Sequence, residues 1–165
     1  MNQLEIFLNE VLRPNSFKKR GNKWYYNPND KICKVIQISR DRYTHLNPGE
    51  IGIVTFGICL TGLQPYLKMP PDARHCAFSG EHWMLIDGGN ALKYKSAIST
   101  EKGTKFWIED FKQDFVNIAL PRFQQISSIS YLKQNFPNNW DMGIMNTAGF
   151  WNHDIVDYLN TIENV

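Results

Sequence analysis

Three clusters in this sequence carry side chains suited to chemistry. Lys18, Lys19 and Arg20 precede Gly21 and the aromatics Trp24, Tyr25 and Tyr26. Cations interleaved with aromatics can attract phosphate and stack bases, each stacked base being worth roughly 1–3 kcal/mol in single-strand binders. The same residues suit a solvated corner between a helix end and an edge strand, where cations favour the helix C-terminus and keep the edge soluble. That second reading leads. Arg40, Asp41, Arg42, Tyr43 and His45 form the next cluster. Two arginines near a tyrosine can hold a carboxylate or phosphate by paired hydrogen bonds, yet a charged turn in which Asp41 neutralises one arginine needs no ligand. His75, Cys76 and His82 make an H-C-x5-H cluster of metal-ligand type, with Asp72 or Glu81 available to complete a tetrahedral shell. No CxxC or HExxH frame accompanies it, so a buried cysteine flanked by structural or surface histidines is the stronger expectation.

Other chemistry lacks its residues. Gly88, Gly89 and Gly80 are too sparse for a phosphate-cradling loop, and no GxxxxGK[ST], GxGxxG or GxSxG sequence occurs. Glu101, Glu109, Asp110 and Asp114 sit in or before an amphipathic stretch whose solvated face explains them better than paired acid/base catalysis does. Trp140, Phe150 and Trp151 can anchor a partner or pack a helix on a sheet. No catalytic residue and no cofactor is nominated.

The elements that must position these clusters follow from periodicity. Leu4, Phe7, Leu8, Val11 and Leu12 recur at helical spacing, and Pro14 ends that helix near Arg13. KWYY at 23–26, the turn NPND at 27–30 and the apolar run from Lys31 to about Arg40 predict a hairpin whose return strand is central. Ile51 to Leu60 is a further strand, with Gly52 and Gly57 admitting a bulge or close backbone contact. Residues 63–74 hold three of the eight prolines and read as a loop, whereas RHCAF and HWMLI read as two short strands. Trp107, Phe111, Phe115 and Ile118 predict an amphipathic helix ending near Pro121. Ser128 or Ser130 caps a short helix containing Leu132, another covers 140–148, and Ile155, Tyr158, Leu159 and Ile162 define a last helix capped by Asn152.

Strands followed by a block of helices imply an α+β fold: an N-terminal helix, an antiparallel β-sheet with one face covered by helices, and a helical C-terminal third. The 165 residues fit a single domain, with the sheet in about 1–100 and helices in about 104–163. A net charge of +2 is too small for the field of a dedicated nucleic-acid binder. Cys33, Cys59 and Cys76 form no CxxC pair, and their odd number argues against a disulfide framework and for reduced thiols in a cytoplasm. The opening MNQLEIFLNEVL lacks the pattern of a secretory signal, and no apolar run is long enough to span a membrane.

Several phrases together resemble a known family. LRPNSFKKRGNKWYY follows the N-terminal helix with Phe17, Lys18, Lys19, Gly21 and an aromatic pair in the family's order. VIQISRDRY, FGICL and RHCAFSGEHWMLI are similar to its later blocks. The chain thus resembles the bacterial domain-of-unknown-function family numbered 4304 over about residues 4–120. The resemblance implies a small bacterial cytoplasmic domain and no reaction. Similar orphan α+β domains include immunity proteins that neutralise toxins, an analogy between classes. The functional expectation is a non-enzymatic protein-interaction module with a protein partner such as a toxin domain, engaged through Arg40, Arg42, Tyr43, His45, Lys18, Lys19 and Arg20. The alternatives are an enzyme or metal protein using His75, Cys76 and His82, and a weak nucleic-acid binder.

Overall fold

The computed structural model describes residues 3–40, 52–87, 109–138, 145–146 and 148–163. Helix α1, Gln3–Leu12, buries Leu4, Phe7, Leu8 and Leu12 along one face. Beyond it, Ser16 N–H donates to the Arg13 carbonyl and Phe17 N–H to the Leu12 carbonyl, while Ser16 adopts φ 66°. This left-handed residue and its crossed pair of bonds stop the helix and turn the chain into the sheet.

Six strands among the described residues lie in sequence order: β1 Lys18–Arg20, β2 Lys23–Tyr26, β3 Ile32–Arg40, β4 Gly52–Leu60, β5 Phe78–Glu81 and β6 Met145–Asn146. All neighbouring pairs are antiparallel. Lys18, Lys19 and Arg20 therefore build the outermost strand itself, not merely the corner before it. The hairpin of β2 and β3 holds, and the β3–β4 ladder from Ile32↔Leu60 to Arg40↔Gly52 places β3 inside the sheet.

Because side chains alternate across a strand, register assigns the two faces. Lys19, Trp24, Ile36 and Phe56 align across the helix-covered face, as do Tyr26, Lys34, Ile58 and Phe78. Tyr25, Val35, Gly57 and Ser79 align on the other face, with Cys33 and Cys59 paired beside them. That second face is not left to solvent. Residues 61–77 fold back over it and bury Cys33, Val35, Cys59, Ala73 and Cys76 as a small second core.

The main core runs from Leu4 to Ile162. HWMLI departs from expectation, since β5 ends at Glu81 and His82–Asp87 is a helix, α2, whose Leu85 is buried against the main core. The next helix, α3, is described from 109 to 126 and contains a π segment at Phe115–Ala119. Pro121 lies in the first turn of the following segment, Leu120–Ile126, so it does not end the helix. A π turn is wider than an α turn, which accommodates a residue with no N–H and a bulky ring. Phe111, Phe115, Ala119 and Phe123 thus recur every four residues in the core, while Ile118 is exposed against expectation.

Ser128 caps α4, Ile129–Asn135, through its side chain and the Tyr131 N–H. The helix expected over 140–148 is contradicted at Met145–Asn146, which pair with β5, and 140–144 and 147 lie outside the described residues. The last helix, α5, is Asn152–Asn160. Its cap position belongs to Trp151, so Asn152 lies within the first turn. Tyr158 ties α5 to the β3 entrance by donating to the Lys31 carbonyl at 3.0 Å and accepting from Gly62 N–H at 2.9 Å. No helix among the described residues is long and apolar enough to cross a membrane.

Lys34 is out of place in this pattern. It lies on the helix-covered face between Tyr26 and Ile58 and is buried, and desolvation lowers its pKa from the usual 10.5. Burial of a cation costs free energy, whereas an apolar chain of similar shape keeps the packing of the stem. Lys34→Met is expected to raise stability by about 1 kcal/mol near neutral pH, measured by urea denaturation. The unfolded chain binds the proton more tightly, so wild-type stability rises with pH between the lowered folded value and 10.5, a slope the variant lacks.

Candidate functional site

The expected clusters fare differently once placed. Lys19 turns to the helix face, where it forms an ion pair with Glu5 of α1 and lies 5.4 Å from the centre of the Trp24 ring. Trp24 is fully buried and donates from its ring N–H to Asn9 Oδ1 at 2.9 Å. Tyr26 packs against Phe17, with ring centres 5.9 Å apart. These contacts give the aromatics beside Lys18–Arg20 structural work, and Trp24 presents no stacking face. The Arg40 side chain, with Arg42, Tyr43 and His45, lies outside the described residues.

His75, Cys76 and His82 do not meet. His75 is exposed in a 3-10 turn at Ala73–His75. Cys76 is buried in the second core, and His82 opens α2 on the opposite side of the sheet, 5.1 Å from the Phe111 ring. The turn that carries His75 is fixed by Asp72, which caps Arg74 N–H at 3.0 Å and accepts from Gln37 Nε2 at 3.1 Å. Burial pulls the Asp72 carboxyl upward, but donation from Gln37 and Arg74 prevails and holds it below its usual value. Gln37 also accepts from Ala73 N–H at 2.9 Å, so one amide fastens the covering segment to β3. Among the described residues, no three histidine, cysteine or acidic side chains are placed to hold a metal ion.

A different constellation converges at the sheet edge. Arg20 and Lys23 are cross-strand partners on the same face, and the covering segment brings Lys68, Met69 and Pro70 beside them around a cleft of about 320 Å³. Arg20 donates one bond to the Met69 carbonyl at 2.9 Å, and Lys23 donates to the Pro70 carbonyl at 3.3 Å. These bonds position the cations while leaving further guanidinium and ammonium donors for a ligand. Lys68 is exposed, and Gly21, at φ 62°, makes the tight turn that lets Arg20 and Lys23 face each other. Among the described residues, the lining carries three cations and no acid. Tyr66, 70 % exposed, stands in the same covering segment.

The sequence points to Arg20 but not to its companions. Lys23 opens the KWYY strand, and nothing local reveals that Lys68 folds back across the sheet.

A family model described as a domain of unknown function, DUF4304, matches residues 8–125. The chain belongs to the DUF4304 family. The matched span of this DUF4304 domain contains every residue that lines the cleft, the five strands from β1 to β5, and the covering segment. No curated protein matches the chain, and no solved structure does.

Proposed function

We propose that this DUF4304 domain is a non-enzymatic protein-interaction module of the bacterial cytoplasm, and that it binds an acidic face of its partner through the Arg20–Lys23–Lys68 cleft. One observation carries the reading: three cations from two distant parts of the chain share a cleft whose lining, among the described residues, includes no acidic side chain. Like charges held together repel, and a partner carboxylate relieves that repulsion while accepting charge-assisted hydrogen bonds. A toxin domain neutralised by occlusion is the partner class we favour, and the charge of the cleft suits an acidic toxin surface better than a basic nuclease. Arg40, Arg42, Tyr43 and His45 remain candidate contacts of the same module. The metal or hydrolytic alternative at His75, Cys76 and His82 receives no geometric support, because the three side chains point to separate environments.

The test is affinity capture from native-host lysate, run in parallel with wild type and the triple variant Arg20→Glu, Lys23→Glu, Lys68→Glu. A specific protein retained by the wild type and lost by the variant supports the reading. Equal recovery by both proteins, or no specific protein with either, contradicts it.

A further inference from the structure

The second core holds three cysteines that neither the proposed interface nor the family assignment explains. Cys33 and Cys59 are direct cross-strand partners on β3 and β4, so their side chains leave the sheet together. Cys76 descends onto them from the covering segment, and its Sγ lies so close to β4 that a Cβ added at Gly57 would be 2.8 Å from it. The Cys76 thiol donates to the Asp72 carbonyl oxygen at 3.5 Å and shares the buried cluster with Cys33 and Cys59. Hydrogen bonding with Cys76 holds the Cys59 thiol below its ordinary value, whereas burial pushes the Cys33 thiol up to about 12. Of the three, Cys59 is the thiol held below its ordinary value, and Cys76 packs with it in the second core. Cys59 and Cys76 also stand at the two ends of the covering segment, so a bond between them would close that segment into a loop.

We propose that Cys59 and Cys76 are a redox-active dithiol, with Cys59 the sulfur attacked first and Cys76 the resolving thiol. The oxidant is a hydroperoxide. The Cys59 thiolate takes the terminal peroxide oxygen: an S–O bond forms, the O–O bond breaks, and the peroxide leaves reduced as an alcohol or water after gaining a proton. Cys59 is now a sulfenic acid, oxidised by two electrons. Cys76 sulfur then attacks Cys59 sulfur, the S–S bond forms, the S–O bond breaks, and the departing hydroxyl takes the Cys76 proton as water.

All three cysteines are fully buried, so local lifting of residues 61–77 gates the first step. Gln37, through Asp72 and Ala73, ties the cysteine end of the segment to β3, and Arg20 and Lys23 hold its Met69 and Pro70 carbonyls. The gate therefore has its own readout, because Gln37→Ala is expected to speed oxidation several-fold without changing which cysteines become linked.

The experiment treats the folded full-length protein with hydrogen peroxide and maps its peptides by mass spectrometry. The expected product has lost two hydrogens, joins Cys59 to Cys76 within one chain, and reverts with dithiothreitol. In Cys76→Ser, dimedone is expected to trap a sulfenic acid at Cys59, and in Cys33→Ser the link is expected to persist. Wild-type mapping decides the matter even if a variant fails to fold. The proposal is overturned if the folded protein keeps its three thiols under peroxide that oxidises the urea-unfolded chain, or if the link joins Cys33 to Cys59 or separate chains.

Discussion

Acidification from pH 6.5 to about 4 is expected to cost the protein about 3 kcal/mol of stability through one imidazole, that of His82. His82 is buried at the start of α2 against Phe111, and its Nδ1 lies 3.3 Å from the Val54 carbonyl oxygen. A carbonyl only accepts, so Nδ1 carries a proton, and it is burial of the ring that disfavours a second one. Burial lowers its pKa from 6.5 to about 4, against a smaller upward pull from the Val54 bond. The sign follows from proton binding: below pH 6.5 the unfolded chain takes up a proton that the folded chain refuses. Stability is lost as pH falls through this window and levels off below about 4. Urea denaturation at a series of pH values, with His82→Gln as the reference, isolates the effect, since glutamine keeps an N–H for Val54 and does not titrate. The wild type should lose stability relative to the variant across the window. Parallel curves would show that the imidazole is hydrated or protonated in the fold.

The second large effect is expected at Gly57. It lies in the middle of β4 on the face covered by residues 61–77, and a Cβ there would be 2.7 Å from the Ala73 carbonyl oxygen and 2.9 Å from Ala73 Cα. Both obstacles are backbone, so neither can rotate away. Gly57→Ala must push the covering turn off the sheet or bend β4, at a cost of about 2–4 kcal/mol. Denaturant midpoints measure the loss, and the displaced cover should also let a thiol reagent reach the buried cysteines faster. Cys76→Ala removes the sulfur contact but not the backbone contacts, so it should restore only part of the stability. A fully stable Gly57→Ala would mean that the cover does not rest on β4 as described.

These expectations show where sequence and structure part company. Helix α1 and the β2–β3 hairpin were legible because local rules set them: an apolar stripe closed by a proline, and NPND between two β-rich runs. Glycine at 57 was legible as a place of close approach, but what approaches, the turn at Ala73–His75, comes from a proline-rich stretch with no period to read. HWMLI misled because a short apolar run fits a strand or a buried helix equally, and burial of His82 and Leu85 against Phe111 and the main core favours the helix. Pro121 misled because a π turn ahead of it absorbs the clash that would otherwise end the helix. In the candidate site, Arg20 was visible as one of a basic run. The partition of that run was not, since strand alternation sends Lys19 to Glu5 and Arg20 to the cleft. His75, Cys76 and His82 looked like a cluster through closeness in sequence alone, and the sheet separates them.

The central claim is that the DUF4304 domain works through the cationic cleft at its sheet edge. Its most direct measurement is the affinity of the captured partner for wild type and for the Arg20→Glu, Lys23→Glu, Lys68→Glu variant, titrated across a series of salt concentrations. The cleft predicts binding that weakens as salt rises and falls at least about tenfold in the variant. Equal affinities with no dependence on salt would contradict it.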